Sequence, residues 1–476
     1  MAPTAHEKTL WIDTQQGRSE ELRMSTAGTE ISPVMRDLSA YIAGAAEQPL
    51  PDAIAAKGKH HLLDTIAAMI SGSRLRPGEM TLRYIALQGG VEEAVVAGSG
   101  IVTSAINAAL ANGMLAHADE TDDSHKESRS HLGCGVVPAA LAMAEREGSS
   151  GAALLRAVVL GYDIGARINF ALDVHPFYAA GHSTHTFAPT FGAAAAAGSL
   201  AGLNADQVRW LISYTAQQAS GVNCWQRDLD HIEKAFDFGG MAGRNGVTAA
   251  TMVQAGFTGV DDVFIGPRNF FFTYADKAKP EALTDGLGAR YEITLTNIKK
   301  WSVGSPIQAP LDCLEAMLAK RQIQADDVER VTLHLSDQEH HVVDDRHMPD
   351  ICIQHMVAIM LLDGTVTFAS SHDEARMTDP AVAALRQRID LIGEPDRERR
   401  TAVVEVALRD GTRLSEAQTA VRGTPDNPMT TGEVEAKAHD LMAPITGEKN
   451  SRALIELIRD IESVEDARVL RPLLTA

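Results

Sequence analysis

The chain has 476 residues, 45% of them hydrophobic and 22% charged, and carries a formal net charge of −20. A chain of this length can bury a large core and hold two domains. The acid excess disfavours nucleic acid and anionic membranes as partners, but it leaves room for an anionic small molecule at a locally positive site.

Residues 1–30 are polar, mixed in charge and without hydrophobic period, and read as a flexible N-terminal arm. They lack the basic and apolar regions of a signal peptide. No uninterrupted apolar run reaches the ~18 residues of a membrane span. Cys134, Cys224, Cys313 and Cys352 are scattered without CxxC spacing, which fits a reducing cytoplasm and argues against a disulfide framework or zinc knuckle. A cytoplasmic location is expected.

From residue 31 to 292 the pattern is helical. Val34, Met35, Leu38, Ile42 and Ala45 share one face; Leu62, Leu63, Ile66, Met69 and Ile70 share another, stopped at Gly72. Ala105–Ala116, Val136–Ala144, Ala152–Tyr162 and Gly192–Leu200 are small-residue helices that can approach closely. Asn204 to Gln207 opens a helix with a capping box, and Gly246–Gly256 is one more. The texture changes at Tyr291–Thr296 and Val328–Leu335, which alternate as strands do. Val403–Leu408, Asp410-Gly411 and Thr412–Leu414 form a hairpin signal. Apolar helices are expected at Pro306–Ala319 and Ile351–Leu362, and helical texture returns after Pro428. The fold class is therefore mostly α: a large all-helical domain (31–292, returning at 429–476) interrupted by a smaller α+β lid domain (293–428).

The densest chemistry is His117-Ala-Asp119-Glu120-Thr-Asp122-Asp123-Ser124-His125, with His131 six residues on. Like charges at this density are costly to bury unless paired. A solvated acidic loop would carry the same residues. His182-Ser183-Thr184-His185 sets two imidazoles beside hydroxyls at the mouth of a buried helix, where one can transfer protons and be held in one tautomer; a hydrogen-bonded loop is the plainer account. Lys234 leads a glycine-rich run into a helix, and Lys299 and Lys300 end a strand; lysines so placed can bind a carboxylate or simply face solvent. His355 lies in an apolar helix, where a core histidine is the plainer account.

Taken in order, these segments resemble the MmgE/PrpD family, which includes 2-methylcitrate dehydratase, cis-aconitate decarboxylase and iminodisuccinate epimerase. The resemblance runs over about residues 33–470. It is carried by His61-Leu-Leu-Asp-Thr-Ile-Ala, Asn112-Gly113, the His117–Ser124 block, His131, Phe191-Gly-Ala-Ala-Ala-Ala and Lys234 to Gly239. Gly246 to the Gly256-Phe-Thr-Gly turn, Ile298-Lys299 and Leu361-Leu-Asp-Gly364 complete it. It implies a helical domain with a smaller lid, a homodimer, no cofactor, and a site between the domains. Carried over by position, it implies catalytic roles for Glu120, Ser124 and His131 and substrate-binding roles for Lys234 and Lys299, with His355 at a lid tyrosine's place. The chain departs from the tricarboxylate branches at Ser183, flanked by His182 and His185 where a single histidine is usual, and at Gly304, where histidine or cysteine is usual.

The implied chemistry is a cofactor-independent lyase, of dehydratase or decarboxylase type, acting on a small di- or tricarboxylate. His131, His182 or His185 would move a proton next to a carboxylate. Lys234, Lys299, Ser183 and His355 would bind substrate, and Glu120 and Ser124 would orient the imidazole and leaving group. An epimerase or isomerase of a dicarboxylate such as an iminodisuccinate-like acid is the alternative. From another class, a metal-dependent hydrolase could use His117, Asp119, Glu120, Asp122, Asp123 and His125 as ligands.

Overall fold

The computed structural model describes residues 30–476; the expected arm lies outside them save for its last residue. Helix α1 (Pro33–Gly44) starts at Ser32, whose hydroxyl accepts from the Met35 N–H. Then come α2 (Asp52–Gly72), α3 (Arg76–Gln88) and a short antiparallel pair, β1 (Ala94–Val95) and β2 (Val102–Thr103). Helices α4 (Ala105–Ala116), α5 (Gly133–Glu147), α6 (Gly151–Ala171), α7 (Thr184–Leu200), α8 (Ala205–Gln218) and α9 (Met241–Gln254) follow. Asn204 and Gln207 close the expected capping box at the start of α8.

Alanine and glycine set the packing of this body. Helix α7 lies against both α6 and α9. A Cβ on Gly192 would stand 2.3 Å from the Gly161 carbonyl oxygen, so the α6–α7 crossing admits only glycine there. Close approach compensates for small side chains, because dispersion and burial accrue along the whole contact.

The second unit has its own core, in which Val331, Leu333, Val404 and Val406 of the sheet meet Ile307, Leu311, Met356 and Met360 of the helices. Its sheet has the order β6-β5-β7-β8: β5 (Val328–Ser336) pairs in parallel with β6 (Ile389–Glu394) and antiparallel with β7 (Ala402–Leu408), which forms the expected hairpin with β8 (Arg413–Gln418). Helices α10 (Ser305–Lys320) and α11 (Ile353–Asp363) supply its apolar cover. The β6 strand has no clean alternation and is legible only through its partner. After β8 the chain returns to the helical body as α12 (Thr431–Arg459), which kinks at Gly447 and packs on α2. Val434, Ala438, Leu441 and Leu454 join the core that holds Ile66 and Leu141. No helix among the described residues is long and apolar enough to cross a membrane.

The strand expected at Tyr291–Thr296 is instead a 3-10 turn (Glu292–Leu295) followed by the two-residue strand β4 (Thr296–Asn297). Glu292 is buried, 3.4 Å from His125 and bonded to Arg290 at 2.8 Å, and Thr296 bonds back to the Glu292 carbonyl at 3.1 Å. These local pairings win over the alternation. Strand β4 then pairs antiparallel with β3 (Ser124–His125), Ser124 opposite Asn297. That small splice fastens the segment carrying Lys299 to the acidic segment.

Candidate active site

The end of α4 places His117 to Asp123 in the interior, where each acid faces a different partner. Asp122 is fully buried; its Oδ1 lies 3.1 Å from His131 Nδ1 and its Oδ2 3.0 Å from His117 Nδ1. Burial alone would raise this carboxyl, but the two imidazoles outweigh it and hold it well below the usual range. Asp123 binds His61 Nδ1 at 2.8 Å and accepts from the Tyr162 hydroxyl. Asp119 binds Thr121 and, at 2.9 Å, His372 of the α+β unit. Glu120 stands between the two lysines: its carboxylate pairs with Lys234, and Lys299 Nζ lies 2.6 Å from its carbonyl and 3.5 Å from its carboxylate. Lys299 Nζ is also 3.9 Å from the Asp122 oxygen that holds His131. The imidazole and both ammonium groups therefore share one cluster.

Lys234 is positioned by an unusual backbone. It sits in the short helix Ile232–Ala235, which runs into a π-helical turn, Phe236–Gly240, before α9. Such turns recur at functional sites because the extra residue re-aims side chains. Here glycine allows the turn to touch α4: a Cβ on Gly239 would lie 2.0 Å from the Gly113 carbonyl oxygen. The turn delivers Phe238 between two imidazoles, stacked at 4.3 Å on His117 and 4.1 Å on His185, while Trp225 meets its edge at 4.7 Å.

His131 and His185 line a cleft between the helical body and the α+β unit, with Ser124, Ser130, Asn297, Lys126, Arg129, Arg399 and Arg400. Their ring centroids are 5.4 Å apart. Asp122 engages Nδ1 of His131, which leaves Nε2 as the nitrogen available to the cleft. Burial, then the charges of His131 and Lys234, keep His185 well below the ordinary histidine value and so neutral. An adjoining cleft is lined by Ser124, Asn297, Lys299 and Arg400. A larger groove between α2 and α12 contains Lys59, His60 and Arg459, but its cations are already paired with Glu462 and Glu435.

Thus Glu120, Ser124, His131, His185, Lys234 and Lys299 come together. Ser183 stands behind them: its hydroxyl donates to Asp237 of the π turn at 2.5 Å. His182 does not line the cleft; it stacks on Phe177 at 4.6 Å. His355 is buried in α11, neither ring nitrogen has a partner, and burial followed by the charges of Arg386 and Arg376 lowers it to about 4. Five further residues were not legible as site residues in the sequence. His231 is buried beside His117, with ring centroids 5.1 Å apart. His372 reaches Asp119 from the other unit. Asp350 is raised to about 7 by burial, with His372 opposing, and its Oδ2 has no partner. Arg399 and Arg400 sit in a charged run, Asp396 to Arg400, that reads as a solvated turn.

The six ligands considered for a metal do not converge, since Asp119, Asp123 and His125 face His372, His61 and Glu292 respectively. Among the described residues two tighter groups exist, His117–Asp122–Cys134 and His117–Glu120–His231. In the first, burial pushes the Cys134 thiol well up, which disfavours the thiolate a metal needs. In the second, the Lys234 ammonium already occupies Glu120 and would repel a cation.

Comparison with known proteins identifies the family. Residues 36–283 match the MmgE/PrpD N-terminal domain and residues 301–463 the MmgE/PrpD C-terminal domain. The chain is 26% identical over 337 residues to a cis-aconitate decarboxylase-like protein, oryM, of Aspergillus oryzae, covering 66% of this chain and 68% of that one. It is 24% identical over 458 residues to human cis-aconitate decarboxylase, covering 89% and 91%. To the mitochondrial 2-methylcitrate dehydratase of Yarrowia lipolytica it is 21% identical over 255 residues, covering 49% and 48%. With both domain models matched in order over most of its length, the chain is an enzyme of the MmgE/PrpD family.

Proposed function

We propose that the protein is a lyase acting next to a carboxylate of a small di- or tricarboxylic acid without a cofactor: in dehydration a base removes the proton from that carbon as the β-hydroxide leaves, and in decarboxylation the electron pair left by departing CO₂ takes up a proton there. The observation that carries this reading is the shared cluster: Asp122 holds His131 on one oxygen and lies within 3.9 Å of Lys299, while Glu120 bridges Lys299 and Lys234. Asp122 accepts the Nδ1 proton of His131, so Nε2 presents a lone pair and acts as general base. Proton removal pushes charge onto the substrate carboxylate, and two ammonium groups are in place to stabilise it as it grows. Each ammonium has three donors, so Glu120 does not exhaust them. Ser124, on the β3–β4 splice, faces both clefts and suits the leaving group or a carboxylate oxygen. The names of the relatives make cis-aconitate and 2-methylcitrate the first substrates to try. The same reading keeps the protein a cytoplasmic homodimer; exposed Tyr84 and Leu87 on α3 offer an apolar face for a second copy.

The test is proton NMR of the purified protein with each acid in D₂O, beside His131→Ala, Lys234→Gln and Lys299→Gln. Turnover or deuterium wash-in is expected from wild type, lost in the histidine variant and weakened in both lysine variants. Undiminished exchange in His131→Ala would remove it as the base; inactivity of wild type on every carboxylate tried would sink the reading. Epimerisation is the second reading, favoured by the pair of imidazoles in one cleft. Deuterium incorporation with inversion of a chiral dicarboxylate would establish it.

A further inference from the structure

We propose that Arg129 and Arg400 form a second carboxylate-binding subsite, in the cleft that His131 lines, so that the enzyme selects acids with at least two separated carboxylates. This rests on the carboxylate-lyase reading above. Both arginines line the cleft that contains His131, and Arg400 also lines the adjoining cleft beside Lys299. Arg129 comes from the loop before α5, whereas Arg400 comes from the turn before β7 of the other unit. A ligand held by both therefore bridges the two units.

The charge there is in excess. Arg129 makes no ion pair among the described residues; its guanidinium lies 3.6 Å above the Tyr178 ring, which orients it without neutralising it. Arg399 and Arg400 share one carboxylate, Glu339, at 3.4 Å and 3.7 Å. The Arg400 N–H donates to that same carboxylate at 2.8 Å, which fixes the base of the side chain. Its Nη1 atom is buried and has no hydrogen-bond partner. A buried guanidinium donor without an acceptor costs free energy that an incoming carboxylate would recover. Both residues also hold left-handed backbone, φ +52° at Arg129 and +66° at Arg400, a conformation that is strained at a non-glycine residue and persists where the surroundings enforce it. The Arg129 carbonyl is pinned by the Thr184 hydroxyl at 2.7 Å. In a chain of net charge −20, two cations so oriented into one cleft mark an anion site.

His131 lines the same cleft as both arginines, so a carbon next to a carboxylate held there comes within reach of its imidazole. The arginines position the substrate; they do not exchange its proton. The test is ligand-observed NMR titration of the full-length protein with tricarballylate, which has three carboxylates, and with butyrate, which has one. Wild type should bind tricarballylate far more tightly. Arg400→Gln and Arg129→Gln should each weaken tricarballylate about 10- to 100-fold, the worth of a charged hydrogen bond, and leave butyrate unchanged. Arg400→Lys should fall between, having charge but no fork. Circular dichroism and melting curves check that the variants remain folded. Wild-type tricarballylate affinity in both glutamine variants, with binding lost in Lys234→Gln, overturns the arginine subsite and leaves the lyase site standing. Equal losses for butyrate and tricarballylate overturn it too, since one subsite would then account for both. Binding of neither acid by wild type overturns the subsite and the reading beneath it.

Discussion

Asp122→Asn offers the sharpest probe of the cluster, because the substitution keeps shape and removes one charge. At 3.1 Å, with the effective dielectric of about 20 that suits protein sites, a carboxylate stabilises the developing His131 imidazolium by about 5 kcal/mol. An asparagine can also present its amide N–H to Nδ1 and so leave the proton on Nε2, the wrong nitrogen for a base. Together these effects predict a fall in kcat of about 10³-fold, inside the ~10²–10⁴ that a general base contributes. KM should not rise with it, because Lys299, 3.9 Å from the same oxygen, loses a competitor for its ammonium. The assay is steady-state kinetics on whichever of cis-aconitate or 2-methylcitrate the wild type turns over, with exchange in D₂O as a second readout. A kcat within tenfold of wild type, or a loss confined to KM, would show that Asp122 does not work through His131.

Three further outcomes follow from the geometry. Gly239→Ala would drive a Cβ to 2.0 Å from backbone of Gly113; urea unfolding should show a loss of about 1–3 kcal/mol or more, with activity falling as the π turn carrying Lys234 and Phe238 shifts, and unchanged stability would contradict the close approach. The His372–Asp119 pair joins the two units: burial lowers the imidazole, but Asp119 outweighs it and raises it to about 9, so its contribution, at most about 3 kcal/mol, is full below the unfolded value near 6.5 and lost as pH climbs through 9. Asp119 is held low despite burial, so acid removes the same contact from below; urea midpoints should fall between pH 7 and 10 in wild type, and a fall of the same size in His372→Ala would count against the pair. Finally, activity should survive EDTA, since Lys234 already claims Glu120; loss restored by a divalent cation would favour a metal held by His117, Glu120 and His231.

Local pattern was enough for much of the scaffold and for the chemistry-bearing segments. Ala105–Ala116 is helical to the residue, the Asn204 box forms, and the Asp410-Gly411 hairpin turns where its residues demand, because each depends on neighbours within a few positions. The density of acids and imidazoles after α4 likewise pointed to the segment proposed as the site, since so much charge beside an apolar helix needs partners. Which partner each acid takes was not legible. Asp122 and Glu120 are two residues apart, yet one serves two imidazoles, at 117 and 131, and the other two lysines, at 234 and 299. Those pairings arise from the β3–β4 splice, the π turn and the seating of one unit on the other, which depend on contacts between residues far apart in the chain. For the same reason Arg400 joins the cleft, and His372 reaches Asp119, only when the second unit packs against the first. Periodicity and capping are local energies, whereas the environment that turns a side chain into a base, a clamp or a plain core residue is assembled by long-range packing.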